Sequence, residues 1–372
     1  MTVVAFCLLT YRPDHPSGIE RSIAALAAGL RGLGHTVAII AAGPAEPGDA
    51  SEPGLVRLTS VRLPRPARND DVLAALADPG PVVAEVSEVL RRLRAEVVCW
   101  GAPVWGLGYL NPAPPGVRTA LMMHNKIRAS SADTWAAALA AADAVLPASP
   151  YLVTAAAQDG WDTSAWTVVP NAILVRPQPP NYDQREQLRQ SGPLRLVSRA
   201  VPGKGQAQLL AAMPAAWDRP VQVVLAEADF EFEPGEQAVA FAACREQASR
   251  RPGLVQIRPA LPWREVPPFF AGAAATVISS LEPETFSHTA AEALSAGTPV
   301  ITFEHGYVPT LAGPAGRAVP LDAGFPAVWE ALGALLADHD DYHAASRAAP
   351  ARIAPHTPEK AAEVFLAATA SR

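Results

Sequence analysis

Short apolar runs alternate with helix-patterned segments along almost the whole chain, and the alternation breaks once. "TVVAFCLLT" (2–10) reads as a buried strand, "IERSIAALAAGLRGLG" as a helix with apolar residues at helical spacing, and "HTVAIIAAG" as the next strand. Strand signals return at 95–100, 118–124, 143–149 and 166–171. A polar, proline-rich run, "AILVRPQPPNYDQREQLRQSGP" (172–193), reads as a linker. After it the pattern restarts, with strands at 194–199, 220–227, 254–260, 274–280 and 299–304, and the chain ends in a helix, "TPEKAAEVFLAATASR". Repeated strand–helix units specify parallel sheets covered by helices. The expected fold is α/β, two Rossmann-like doubly wound domains facing an interdomain cleft. The expected domains are residues 1–180, residues 181–355, and a C-terminal helix over 356–372 that packs back on the first domain. In open parallel sheets ligands bind beyond the carboxyl ends of the strands, so the loops there carry the chemistry.

Composition narrows the function. Hydrophobic residues make up 49% of the 372 and charged residues 18%, ample for two cores. A net charge of -6 argues against nucleic acid as a partner. Cys7, Cys99 and Cys244 are far apart, odd in number and lack CxxC spacing, which suggests reduced thiols in a cytoplasmic protein, not a disulfide frame or a zinc site. No apolar run reaches the roughly 18 residues of a membrane span.

Four loops stand out. In "SRAVPGKGQAQLL" (198–210), Arg199 and Lys204 lie between a strand and a helix, where an anion would be welcome. "GKGQAQ" is a near miss to a dinucleotide fingerprint but lacks the third glycine. In "LEPETFSHTAAEALSAGTPVI", Glu284 lies in a loop and Glu292 eight residues later, in a helix expected from Ser287 to Ala296. Glu292 has no cation at helical spacing, so its partner must come from elsewhere in the fold or from a ligand. Ser17 and Glu20 of "DHPSGIER" have the spacing of a capping box, and Gly18 between them permits close approach of a phosphate. In "MMHNK", His124 sits at a strand end, followed by Asn125.

Together these residues resemble the retaining family-4 glycosyltransferases of the GT-B fold. "ETFSHTAAEALSAGTPVI" is similar to that family's Glu-x7-Glu block, "GKG" behind Arg199 to its Lys-Gly loop, and "SGIERSIAALAAGLRGLGHTV" to its N-terminal glycine loop and helix. "DAVLPAS" and "VVPNAI" also have counterparts. The resemblance implies that Arg199 and Lys204 grip a donor diphosphate and that Glu292 holds ribose hydroxyls. Glu284 would accept from donor-sugar hydroxyls. Backbone donors over Phe286, Ser287, His288 and Thr289 would bind sugar and phosphate oxygens. Gly18 would lie beside the diphosphate and His124 beside the transferred sugar. Thr285 and Ser287 depart from the family's small pair, and "AEADFEFE" replaces its glycine-rich turn.

The expectation is therefore a retaining glycosyltransferase. Its donor would be a nucleoside diphosphate sugar, a UDP-sugar by preference, and its catalytic residues Glu284, His124, Arg199 and Lys204. An epimerase of the same fold and a non-catalytic sugar-nucleotide-binding protein are the alternatives. "WGAPVWGLGYLNPAPPG" (100–116) brings Trp100, Trp105 and Tyr109 toward the acceptor side with His124 and Asn125; the aromatic faces suit a sugar or cyclitol ring, or equally serve core packing. A small soluble acceptor, such as an aminocyclitol or another natural-product precursor, is preferred to a membrane lipid. No cofactor and no metal are expected to be required: no Asp-x-Asp stands at a strand end, since Asp70–Asp71 reads as part of an irregular loop and "DHDD" (338–341) as a late polar turn, and Arg199 and Lys204 already supply positive charge.

Overall fold

The computed structural model describes residues 1–370; the end of the expected C-terminal helix, residues 371 and 372, lies outside the described residues. The chain divides into two compact units: Met1–Ala172 together with the chain from His356 on, and Ile173–Pro355.

The first unit is built on six parallel strands: β1 (Val3–Cys7), β2 (Thr36–Gly43), β3 (Leu55–Arg62), β4 (Val97–Trp100), β5 (Arg118–Met123) and β6 (Ala144–Pro147). Their spatial order is β3-β2-β1-β4-β5-β6. β1 and β4 are buried along nearly all their length, the pattern of strands covered on both faces. The order reverses between β1 and β4, so the loops after these two strands meet. Gly101 N–H donates to the Cys7 carbonyl (2.9 Å) and Leu9 N–H to the Trp105 carbonyl (2.8 Å). The helix Pro358–Thr369 packs on the helix Gly18–Gly32, and Phe365 meets Phe6 with ring centroids 5.6 Å apart. Gly29 permits that approach, since a Cβ there would fall 1.9 Å from the Pro358 carbonyl oxygen.

The second unit holds β7 (Leu194–Arg199), β8 (Val221–Ala226) and β9 (Val255–Arg258) in one parallel ladder, and β10 (Thr276–Ile278), β11 (Val300–Phe303) and β12 (Gly316–Val319) in another. A parallel bridge between Leu194 and Ala275 joins them beside β7 and β10. This is the same winding as in the first unit, and it makes the loops after β7 and β10 neighbours. Cys7, Cys99 and Cys244 are free and buried.

Several sequence expectations need correction. Residues 166–171 are not a strand. Thr167 N–H donates to Val145 (3.0 Å), but Pro147 has no N–H to return the bond, so the ladder stops. The supposed linker contains a helix, Tyr182–Ser191, opened by a reciprocal cap between Asn181 and Gln184. Its Arg185 is buried and donates to the carbonyls of Ala273 (2.8 Å) and Ala296 (2.6 Å). Residues 173–180 belong to the second unit rather than the first, since Ile173 is buried in that unit's core. "DHDD" is not a turn: Asp338 caps the helix His339–Ile353 by accepting from Asp341 N–H (2.9 Å). Asp70 and Asp71 likewise lie in the first turn of a helix, Asn69–Ala75. β3 and β12 have no counterpart in the sequence reading.

Candidate functional site

β7 delivers Arg199 to its carboxyl end, and a tight turn over Pro202–Lys204 follows. Gly205 ends that turn with φ 70°, where a Cβ would lie 2.2 Å from the Ser279 carbonyl oxygen. Glycine is required there twice, for the left-handed backbone and for the space. Ser279 Oγ donates to the Lys204 carbonyl (2.7 Å), and Leu281 N–H donates to the Gly203 carbonyl (2.9 Å). The loops after β7 and β10 are thus stitched together.

Glu284 lies on the second of these loops. Its Oε1 accepts from Lys204 Nζ and from Ser280 Oγ. Burial raises its pKa, but the Lys204 charge, the hydrogen bonds from Lys204 and Ser280, and Arg199 outweigh it and hold the carboxyl below its usual range. Glu284 is therefore ionised at neutral pH, as an acceptor only. Its backbone is held as well. Tyr307 N–H donates to the Glu284 carbonyl (2.8 Å), and His305 Nε2 lies 2.9 Å from the Ser280 carbonyl. Gly306, with φ 69°, leaves room where a Cβ would sit 2.6 Å from Glu284 N. Ser280, His305, Gly306 and Tyr307 were missed from sequence; the one signal was "EHGY" directly after a strand.

Arg199 has a partner that the sequence reading also passed over. Its guanidinium stacks on the Phe230 ring, 4.6 Å from the centroid. Phe230 belongs to the acidic loop after β8. Gln237 anchors the start of that loop by accepting from Ala228 N–H (2.6 Å) and donating to its carbonyl (3.1 Å).

The helix His288–Ser295 carries the rest of the block. Phe286, His288 and Glu292 are buried, at 2%, 9% and 5% exposure, and Thr289 is half-buried. Phe286 stacks near Tyr307 and meets His288 edge-on. Ser287 caps the helix, accepting from Ala290 N–H (3.4 Å), with φ 73°. A left-handed serine stands where the resembled family has glycine, a strained residue at the head of the helix.

In the first unit, Gly18 opens its helix on the exposed side. The capping box of Ser17 and Glu20 does not form. Ser17 makes no side-chain cap, and Glu20 Oε1 instead accepts from Thr10 Oγ1 (2.8 Å). Trp100 is core, 1% exposed, with its indole N–H on Asn111 Oδ1 (3.0 Å). Trp105 and Tyr109 are partly buried and pack against the same core, and Asn125 is exposed. His124 follows β5 directly and is 7% exposed; burial pushes its pKa down to about 4, so the ring is neutral at pH 7.

That burial has a consequence for stability. A histidine with a folded pKa near 4 and an unfolded pKa of 6.5 binds its proton more readily when unfolded. Its contribution is complete above pH 6.5 and is lost as pH falls toward 4, on the order of 3 kcal/mol in all. His124→Gln should flatten this part of the profile in urea titrations across that range. An unchanged slope would show that His124 is not the group responsible.

Two family models match the chain: Glycosyltransferase Family 4 over residues 16–175 and Glycosyl transferases group 1 over residues 194–338. The chain belongs to the family-4 glycosyltransferases. A search among curated proteins returns no match. Solved structures agree on the fold of this glycosyltransferase. HepE of Anabaena, in complex with UDP and glucose, has a TM-score of 0.77 at 17% identity, covering 99% of this chain and 98% of that one. Sucrose-phosphate synthase of Thermosynechococcus elongatus has 0.75 at 18%, covering 98% and 97%. AviGT4, a glycosyltransferase involved in avilamycin A biosynthesis, has 0.59 at 18%, covering 99% and 97%. The fold is GT-B, with two domains of parallel sheets and helices, and the enzyme uses a nucleotide-sugar donor. Among the described residues no helix is long and apolar enough to cross a membrane.

Proposed function

We propose that this glycosyltransferase takes a UDP-sugar as donor, retains the anomeric configuration, and glycosylates a small soluble acceptor without a catalytic metal. The observation that carries the reading is the joined pair of loops, with Lys204 and Ser280 both on Glu284. A lysine ammonium has three donors, and Glu284 takes one of them. The others suit phosphate oxygens, and Arg199 supplies a second cation. These charges stabilise the diphosphate as it departs, the stage at which negative charge builds. Ionised Glu284 accepts from donor-sugar hydroxyls, and Glu292 from the ribose. A phosphate oxygen then takes the acceptor proton on the face the leaving group vacates, which gives retention.

UDP is preferred because HepE is similar across nearly the whole chain and its structures contain UDP or UDP-glucose. The natural-product acceptor follows AviGT4, a similar structure named for avilamycin A biosynthesis. By the resemblance, the acceptor side falls to Trp105, Tyr109, His124 and Asn125, with Gly18 beside the diphosphate. A cytoplasmic location goes with the free cysteines.

One assay tests the reading. Loss of UDP-sugar is followed with and without a panel of aminocyclitol acceptors, in excess EDTA, and the product is examined by NMR. Acceptor-dependent turnover that survives EDTA and keeps the anomeric configuration is expected. Conversion of the donor without acceptor would replace the proposal with epimerisation. Magnesium- or manganese-dependent turnover, or an inverted product, would overturn the mechanism.

A further inference from the structure

We propose that Glu186, His339 and His343 form a binding site for a divalent ion of the zinc class, apart from the donor loops. Glu186 lies on the helix Tyr182–Ser191, and the two histidines lie four residues apart on the helix His339–Ile353, so they share a face. One ligand atom of each lies within 4.8 Å of the others. His343 Nε2 is 2.9 Å and His339 Nε2 3.9 Å from Glu186 Oε2. Bonds of about 2.0–2.2 Å to a common ion put ligand atoms about 3–4 Å apart, so small side-chain rotations close the site.

The surroundings orient the ligands. Asp340 Oδ1, 2.9 Å from His339 Nδ1, accepts that N–H, which leaves the lone pair on Nε2; the Tyr182 hydroxyl, 2.8 Å from Nε2, donates to that lone pair and must rotate away for an ion to bind. A carboxylate behind a ligating histidine is the usual supporting contact in metal sites. The His343 ring is 4% exposed, stacked on Tyr182 (4.3 Å, 22°) and edge-on to Tyr342 (5.7 Å). Arg189 donates to both oxygens of Glu186 (2.8 and 2.6 Å), and these contacts together with His343 hold its pKa well below the usual range. Arg189 also competes for the carboxylate. An ionised carboxyl has about four acceptor positions, and the one an ion needs is that now facing His343. The ion takes the place of the hydrogen between His343 Nε2 and Glu186 Oε2; the neutral ring ligates as its other tautomer, giving up the Nε2 proton to solvent and taking one up at Nδ1. Two imidazoles with one carboxylate select zinc, nickel or copper over magnesium or calcium, with water completing the shell.

The helix bearing Glu186 feeds the amino end of β7, whereas Arg199 stands at its carboxyl end, five residues beyond Leu194. At about 3.3 Å per residue the two ends of the strand lie about 17 Å apart. The ion would clip together helices 157 residues apart in sequence and act on stability, not on turnover. The test titrates zinc chloride into the tag-free, metal-stripped chain by calorimetry, beside His339→Ala, whose ring is half exposed and so dispensable for folding. One equivalent of zinc bound, a rise in Tm, no response to magnesium, and at least tenfold weaker binding by His339→Ala are expected. The absence of saturable zinc binding, or equal affinity in the variant, overturns the proposal.

Discussion

Lys204→Ala is expected to weaken UDP binding by about 1.5–3 kcal/mol, or about 10- to 150-fold in Kd, through loss of a charge-assisted contact to the diphosphate. The structure adds a second consequence. Lys204 is the cation beside Glu284, which sits at 16% side-chain exposure. Without it the burial of Glu284 is opposed only by Ser280 and the more remote Arg199, so the Glu284 pKa should move up. The variant's kcat/KM should therefore fall toward acidic pH sooner than that of the wild type. Calorimetry with UDP checks the first effect and a pH–rate profile the second. Unaltered UDP affinity would remove Lys204 from the diphosphate site.

Much of this site was legible because its parts are local. The Glu-x7-Glu block predicted a helix from Ser287 to Ala296, and the helix runs His288–Ser295 with Gly297 at φ 71° beyond its end. Arg199 and Lys204 stood out as candidates because a strand, a glycine pair and a helix start fall within one short loop. Their partners were not legible. Glu284 is 80 residues from Lys204, and the pair exists because β10 lies beside β7. That adjacency is a property of strand order, which periodicity does not encode. Phe230 lay hidden in a loop that reads as acidic, where its ring and not its charged neighbours meets Arg199.

Local spacing also misled where a distant group competed. Ser17 and Glu20 have the spacing of a capping box, but Thr10 on the adjoining loop captures the glutamate. The run at 172–193 looks like solvated linker because it is polar and rich in proline. Neither half fits throughout: Ile173 is buried in the second unit's core, and the helix Tyr182–Ser191 turns Arg185 inward to donate to the carbonyls of Ala273 and Ala296. A buried arginine that satisfies backbone acceptors carries no mark in its own neighbourhood. "DHDD" misled for the same reason. Its first aspartate is a helix cap, and its histidine faces Glu186, which is far away in sequence.

Glu284→Gln should separate the sugar from the nucleotide. The amide keeps the shape, so the loop held by Ser280, Gly306 and Tyr307 should persist. It exchanges one acceptor for a donor, however, and removes the negative charge that Lys204 faces. Donor-sugar hydroxyls then lose a charge-assisted acceptor, and kcat/KM for the UDP-sugar should fall by about 10- to 150-fold. Lys204, released from its ion pair, becomes more available to phosphate, so UDP alone should bind as well as before or more tightly. The two variants are thus expected to differ on the same ligand: Lys204→Ala weakens UDP, and Glu284→Gln does not. Calorimetry with UDP and initial rates with the UDP-sugar measure both. Parallel losses of UDP affinity in the two variants would mean that the pair acts as one structural unit, and the assignment of Glu284 to the sugar would fall.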